Sequence, residues 1–206
     1  MAIETVLFDM DGVLSHYDFA HRLEVLSAGT GVPAAEIDQL IFGSGFDAAA
    51  DDGAYDADEY MAEFSRRLGV PVSTELWLEA REASMTIDLE MLAIVRAVAE
   101  RARVAMLTNN GPVLRAHLAR VAPEIAALFG ERAFFSCQFG TGKTSPEVFR
   151  LVLDTIGGLA ETALFIDDTE AYAENARVAG LRTHHFSHDS GGVPALRAEL
   201  ERLELV

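Results

Sequence analysis

The apolar run Val6-Leu7-Phe8 stops at once on Asp9-Met10-Asp11-Gly12, and nothing else in the chain narrows the choice of fold as much. The run reads as a buried strand, and Gly12 breaks it. A strand that ends in two carboxylates and a glycine leaves both acids at the edge of a parallel sheet, where such sheets keep their ligands. Two carboxylates come together only at a cost, because one must hold a proton or find a cation. The pair therefore points to a metal, an acid/base couple, or both. A strand end closed by a turn-forming Asp-Gly is the plain structural alternative.

Similar runs recur at residues 103–107, 133–137 and 162–166, with a weaker one at 181–186, and helical patterns separate most of them. With the first strand at 5–9, this alternation predicts an α/β domain with a mainly parallel sheet. Residues 15–87 break the pattern and show no strand-like run. Pro33 can open one helix there. Asp56 with Glu59 makes a capping-box start for another, which Gly69 ends, and Ser73 or Thr74 can cap a third. Gly43, Gly45 and Gly53 mark loops. An all-helical stretch placed straight after the first strand reads as an insertion. The expected organisation is a core from residues 1–14 and 88–206 with a helical cap from 15–87, the sheet resuming after a helix capped by Asp88.

At 206 residues, half of them hydrophobic, the chain has ample material for one core. No apolar run approaches a membrane span, and the N-terminus lacks a basic region followed by an apolar stretch, so the protein is expected to be soluble and unprocessed. The single cysteine, Cys137, cannot form an internal disulfide; in the apolar run AFFSCQF it reads as a buried, inert thiol, and a reducing cytoplasm fits. The net charge of −17 repels nucleic acid and anionic membranes. It also repels a phosphorylated substrate, so any phosphate site must be locally positive.

Four sets of polar residues fall at or just after predicted strand ends: Asp9 and Asp11; Thr108-Asn109-Asn110, before Gly111-Pro112; Lys143 in the loop GTGKTSP; and Asp167-Asp168. Pro112 suits the first position of a helix, whose free N–H groups favour an anion. On one sheet edge these sites can converge. They would offer carboxylates for a divalent ion, a hydroxyl and N–H groups for phosphate, and an ammonium for the remaining charge. Oxygen-only ligands of this kind suit Mg²⁺.

The order DxD, then Thr, then Lys, then Asp-Asp, with a helical insertion after the first motif, resembles the haloacid dehalogenase superfamily over nearly the whole chain. The resemblance implies a Rossmann-like three-layer core with the first strand central and an inserted helical cap. It implies Asp9 as nucleophile forming an aspartyl-phosphate, and Asp11 as the acid and then the base. A neighbouring carboxylate would help raise the Asp11 pKa. Thr108 and Asn109 would bind the phosphoryl group, with Lys143 neutralising charge on it and on Asp9. Asp9 and Asp167 would ligate Mg²⁺, with the Met10 or Asp11 main-chain carbonyl and Asp168 completing or supporting the shell. Two positions depart from the pattern: Lys143-Thr144-Ser145-Pro146 replaces a Lys-Pro-Asp-Pro motif, and Tyr172 stands where relatives often place Asn.

The implied activity is Mg²⁺-dependent hydrolysis of a small phosphorylated metabolite, with a sugar phosphate as one candidate, by a monomer or small homo-oligomer that binds neither nucleic acid nor membrane. A phosphomutase is the nearest rival. A 2-haloacid dehalogenase needs no second acid at Asp11, and a receiver domain carries its acids in another order. Among residues outside the motifs, Phe42-Gly43-Ser44-Gly45-Phe46 is the best cap candidate for substrate contact. Trp77, spaced with Leu76 and Met85, reads as cap core. Arg66, Arg67 and Arg81 read as solvated helix faces. His16, Tyr17 and Phe19 can face substrate or pack. His184, His185 and His188 read as a polar loop after the last strand rather than a second metal site.

Overall fold

The computed structural model describes residues 2–187 and 191–206. The first strand, β1 (Thr5–Phe8), is wholly buried and leads into the turn that holds Asp9 to Gly12. Next come β2 (Ser15–Tyr17) and a helical insertion: α1 (Phe19–Thr30), α2 (Ala34–Ile37), a π-helical turn (Asp38–Phe42), α3 (Phe46–Asp51), α4 (Ala57–Leu68) and α5 (Thr74–Ala83). The expected punctuation operates here. Pro33 precedes α2. Asp56 and Glu59 form a reciprocal capping box on α4, Gly69 ends it at a left-handed φ, and the Ser73 hydroxyl caps α5.

The strand β3 (Met85–Ile87) then pairs antiparallel with β2. This corrects the all-helical expectation for residues 15–87: two strands of three residues each form a ribbon at the two ends of the insertion. Neither is a buried apolar run, so neither carries the signal that marked the sheet strands.

The chain continues through α6 (Leu89–Ala99), capped by Asp88 as expected, to β4 (Arg103–Thr108), α7 (Pro112–Val121), α8 (Pro123–Phe129), β5 (Ala133–Phe135), α9 (Pro146–Ile156), β6 (Ala163–Asp167), α10 (Glu170–Val178), β7 (Arg182–His185) and α11 (Gly192–Arg202). The five sheet strands lie in the order β5-β4-β1-β6-β7, and every adjacent pair is parallel. This is the expected Rossmann-like sheet with β1 at its centre.

Strand alternation splits the core into two layers on either side of the sheet. Val6, Phe8, Met106 and Ile166 point to one face, which packs with Leu92 and Val95 of α6, Ile125 of α8 and Leu196 of α11. Leu7, Ala105, Leu107 and Phe165 point to the other, against Val148, Phe149 and Val152 of α9 and Ala176 of α10. Covering both faces explains why these strands read as unbroken apolar runs.

Three local readings change. Cys137 lies in a short 3₁₀ turn after β5 and is half-buried rather than buried; burial still pushes its thiol up to about 11, which keeps it inert. His184 and His185 belong to β7 itself, not to a loop beyond it, and His188 lies outside the described residues. The Phe42–Phe46 segment is an ordered turn in which the Ser44 hydroxyl donates to the Leu40 carbonyl and Phe46 is buried, stacked on Tyr60.

Candidate active site

The sheet register brings the motif residues together. Phe8 sits opposite both Met106 and Ile166, and the Asp9 N–H donates to the Ile166 carbonyl at 2.9 Å. Asp9, Thr108 and Asp167 therefore leave neighbouring strands at the same edge. Along with Asp11, Asn109, Asn110, Lys143 and Asp168 they surround a cavity of about 360 Å³, except that Asp167 is wholly buried behind Lys143.

Lys143 is the centre of the charge arrangement. The residue is 1 % exposed. Nζ donates to Asp167 Oδ2 at 2.6 Å and lies 2.7 Å from Asp9 Oδ1, the latter an ion contact outside good hydrogen-bond geometry. The rings of Tyr172 and Phe165 face the same ammonium at 4.9 and 5.7 Å. Its backbone is tied as well: the Lys143 N–H donates to Asn109 Oδ1, and Asn175 Nδ2 donates to the Lys143 carbonyl. These bonds fix the loop despite its altered third motif. Tyr172 thus contributes a ring to the lysine, while Asn175, one turn on, supplies the amide.

Burial holds the Asp9 carboxyl well above the ordinary carboxylate range; Lys143 opposes this shift and Asp167 reinforces it. Burial and Asp167 raise Asp168 as well. One oxygen from each of Asp9, Asp167 and Asp168 lies within 4.8 Å of the others, the one acidic or histidine group among the described residues placed to hold an ion. Three carboxylates, two of them buried, gather beside one ammonium that cannot neutralise them all, and all the donors are hard oxygens. Both facts fit Mg²⁺. Gly12 makes room for the group: its φ is +85°, and a Cβ there would run into the Asp168 carboxylate.

Asp11 departs from expectation. Ser15 Oγ donates to its Oδ1 at 3.2 Å, while Asn110 Nδ2 and Arg81 Nη2 donate to Oδ2 at 3.2 and 2.5 Å. Burial draws its pKa upward, but Arg81 and these hydrogen bonds outweigh that, and the net direction is down. The neighbouring-carboxylate effect expected from the sequence loses to a cation the sequence reading placed in solvent. Arg81 is in fact 1 % exposed, its guanidinium 4.3 Å from the Tyr17 ring centroid. A signal for it existed: Arg81 lies midway between Trp77 and Met85 at four-residue spacing, on the stripe read as cap core. Arg66 and Arg67 do pair with Glu63 on the surface of α4.

The structure draws two further acids from α3 and the residue after it, Asp51 and Asp52, to the same cavity. No sequence signal singled them out. Neither Phe42 nor Phe46 lines it. Gly111 and Pro112, at the start of α7, line a separate enclosed space of about 20 Å³. His16, Tyr17 and Phe19 line an open groove of about 660 Å³ that meets Asp168 at its edge.

Fold and site define a Rossmann-like α/β enzyme with its acids, hydroxyl and ammonium gathered at the carboxyl ends of the central strands. The haloacid dehalogenase-like hydrolase family model matches residues 3–180, and the chain belongs to that family. A phosphatase of Mycobacterium tuberculosis is 29% identical over 195 residues, covering 89% of this chain and 87% of its own. Among solved structures, a HAD-like family hydrolase from Porphyromonas gingivalis aligns with a TM-score of 0.83 over 97% of this chain and 98% of its own, at 23% identity. A HAD family enzyme from Bacteroides thetaiotaomicron, solved with magnesium and inorganic phosphate, aligns with a TM-score of 0.75 over 90% and 94%, at 20% identity. At these identities the solved structures show the shared fold. Among the described residues, no helix is long and apolar enough to cross a membrane.

Proposed function

We propose that the protein is a Mg²⁺-dependent phosphatase of a small phosphorylated metabolite, with residues 15–87 acting as a helical cap over a core of 1–14 and 88–206. The observation that carries this reading is the convergence of Asp9, Asp11, Thr108 and Lys143 on one cavity, with Lys143 held between Asp9 and Asp167. The magnesium and phosphate bound by the Bacteroides enzyme and the likeness to the mycobacterial phosphatase support it.

In this reading an Asp9 carboxylate oxygen attacks phosphorus. The ester P–O bond breaks, and its electron pair leaves on the alkoxide oxygen, which takes a proton from Asp11. The Asp11 carboxylate then takes a proton from water as the water oxygen attacks the aspartyl-phosphate, releasing inorganic phosphate and restoring Asp9. Lys143 neutralises charge on the transferring group, and Thr108 and Asn109 orient it. Asp9, Asp167 and Asp168 would hold Mg²⁺ with one main-chain carbonyl. The Met10 carbonyl already accepts N–H groups from Leu14 and Ser15, which favours that of Asp11. Bound there, the ion would supply further charge neutralisation to the phosphoryl oxygens.

The test is phosphate release from a panel of sugar phosphates and other monoesters with Mg²⁺, with isomer formation followed in parallel. Asp9→Asn should abolish turnover and phosphoenzyme formation, and EDTA should inactivate the wild type reversibly. Near-normal rates for Asp9→Asn, or full activity in EDTA, would sink the mechanism. Isomer formation in place of phosphate release would make the enzyme a mutase.

A further inference from the structure

We propose that the substrate's leaving group is a small uncharged polyol, selected by Asp51 and Asp52 where α3 meets the cavity. The proposal rests on the phosphatase reading and names the substrate class of that same site.

The end of α3 is fastened to the core. Ser136 Oγ donates to the Asp51 carbonyl at 2.6 Å, and Gly53, at φ +82°, lies so close to the Cys137 carbonyl that a Cβ would stand 2.6 Å from it. Gly142 leaves space on the opposite side: a Cβ there would lie 2.9 Å from Asp52 Oδ1 and 3.1 Å from Asn109 Oδ1. The insertion's contribution to the cavity is thereby limited to Ala48, Asp51 and Asp52. In sum, five aspartates and a single cation, Lys143, line it.

That cation is committed to Asp9 and Asp167. Asp9 lines the space with its Oδ1 2.7 Å from that ammonium, and in the phosphatase reading it is the reacting carboxylate. Asp11 and Asp168 have roles in the same chemistry. Asp51 and Asp52 are left to meet whatever carries the phosphoryl group.

The two buried arginines nearby do not reverse the sign. Arg81 lies outside the lining and bonds Asp11. Arg22 is likewise outside the lining; it borders the neighbouring space of about 20 Å³, room for one water. A carboxylate or second phosphate on the leaving group would meet Asp52, with no free cation among the residues that line the cavity. Burial and Asp47 already push Asp51 up to about 8, so this wall holds more acid than it can ionise at neutral pH. Hydroxyl groups, by contrast, find acceptors there. At about 360 Å³ the cavity is near the small end of ligand sites and must also hold the phosphoryl group.

The experiment compares glycerol 3-phosphate with 3-phosphoglycerate, equal in length and differing in a hydroxymethyl against a carboxylate. Each is measured with the Mg²⁺-loaded full chain, as a substrate and as a competitive inhibitor of p-nitrophenyl phosphate hydrolysis. The expected result is at least a ten-fold preference for glycerol 3-phosphate in kcat/KM or Ki. In Asp52→Asn the ratio should fall toward one. Each ratio is internal to one preparation, so a general loss of activity cancels, and the wild-type ratio stands without any variant. A wild-type ratio of one or below, or a ratio unchanged in Asp52→Asn, overturns the polyol assignment. Failure to hydrolyse any monoester, p-nitrophenyl phosphate included, overturns the phosphatase reading instead.

Discussion

Arg81 Nη2 lies 2.5 Å from Asp11 Oδ2, joining the last turn of α5 to the residue two beyond the proposed nucleophile. Arg81 is buried on every side, so its charge acts on Asp11 through protein rather than water. The pair ties the helical insertion to the proposed acid/base group. It also holds Asp11 ionised, the form needed to take a proton from water but not the form needed to protonate a leaving group.

Arg81→Gln should therefore change the pH profile as well as the rate. Without the guanidinium the Asp11 pKa rises, and the alkaline limb of kcat/KM, which covers leaving-group departure, should move to higher pH. Stability should fall by roughly 3–5 kcal/mol, the range for breaking a buried pair from one side. The sign follows from the lowered Asp11 pKa. The pair's contribution is present above the ordinary carboxylate range and is lost as pH falls through the folded value, so the variant's deficit should shrink in acid. Arg81→Lys, which keeps the charge but not the forked donor, should fall between the two. An alkaline limb that does not move in Arg81→Gln would leave Arg81 a packing residue only.

Gly12→Ala tests the metal group from its backbone side. The positive φ already strains a side chain, and the new Cβ meets the Asp168 carboxylate, which must shift. Displacing a supporting ligand of this kind costs about 10–100-fold in metal affinity. The Mg²⁺ concentration for half-maximal activity should rise by that factor while saturating Mg²⁺ restores much of the rate. An unchanged Mg²⁺ requirement would remove Asp168 from the metal shell.

The sheet could be read from the sequence because both its faces are covered, which makes each strand an unbroken apolar run with its chemistry at the end. Asp9, Thr108 and Asp167 were visible for that reason, and the register only had to align them. Tertiary contacts too sparse to leave a pattern were not legible. Ser15–Tyr17 and Met85–Ile87 form a ribbon of three residues a side, and its middle pair, His16 and Thr86, is exposed. Arg81 was missed because an arginine on a helix is ordinarily exposed, although its spacing from Trp77 placed it on the buried stripe. Asp51 and Asp52 reach the cavity where Ser136 and Gly142, more than eighty residues on, meet the end of α3.

Asp51 gives a pH dependence with a definite sign. Burial first, then Asp47 and Asp52, raise its pKa to about 8, against Arg22 and Arg81, which lower it. In the unfolded chain it titrates near 4. Between those values the folded protein binds a proton that the unfolded chain has released, so this group makes stability fall as pH rises from about 4 to about 8. Asn at position 51 carries no such proton. The melting temperature of Asp51→Asn relative to wild type should therefore climb across that window, by at least about 3 °C between pH 5 and pH 8.5 for a chain of this size. Thermal unfolding of both proteins in matched buffers measures it. A difference that stays flat with pH would mean that Asp51 is ionised in the fold throughout, and that the wall beside the phosphoryl site bears its full negative charge.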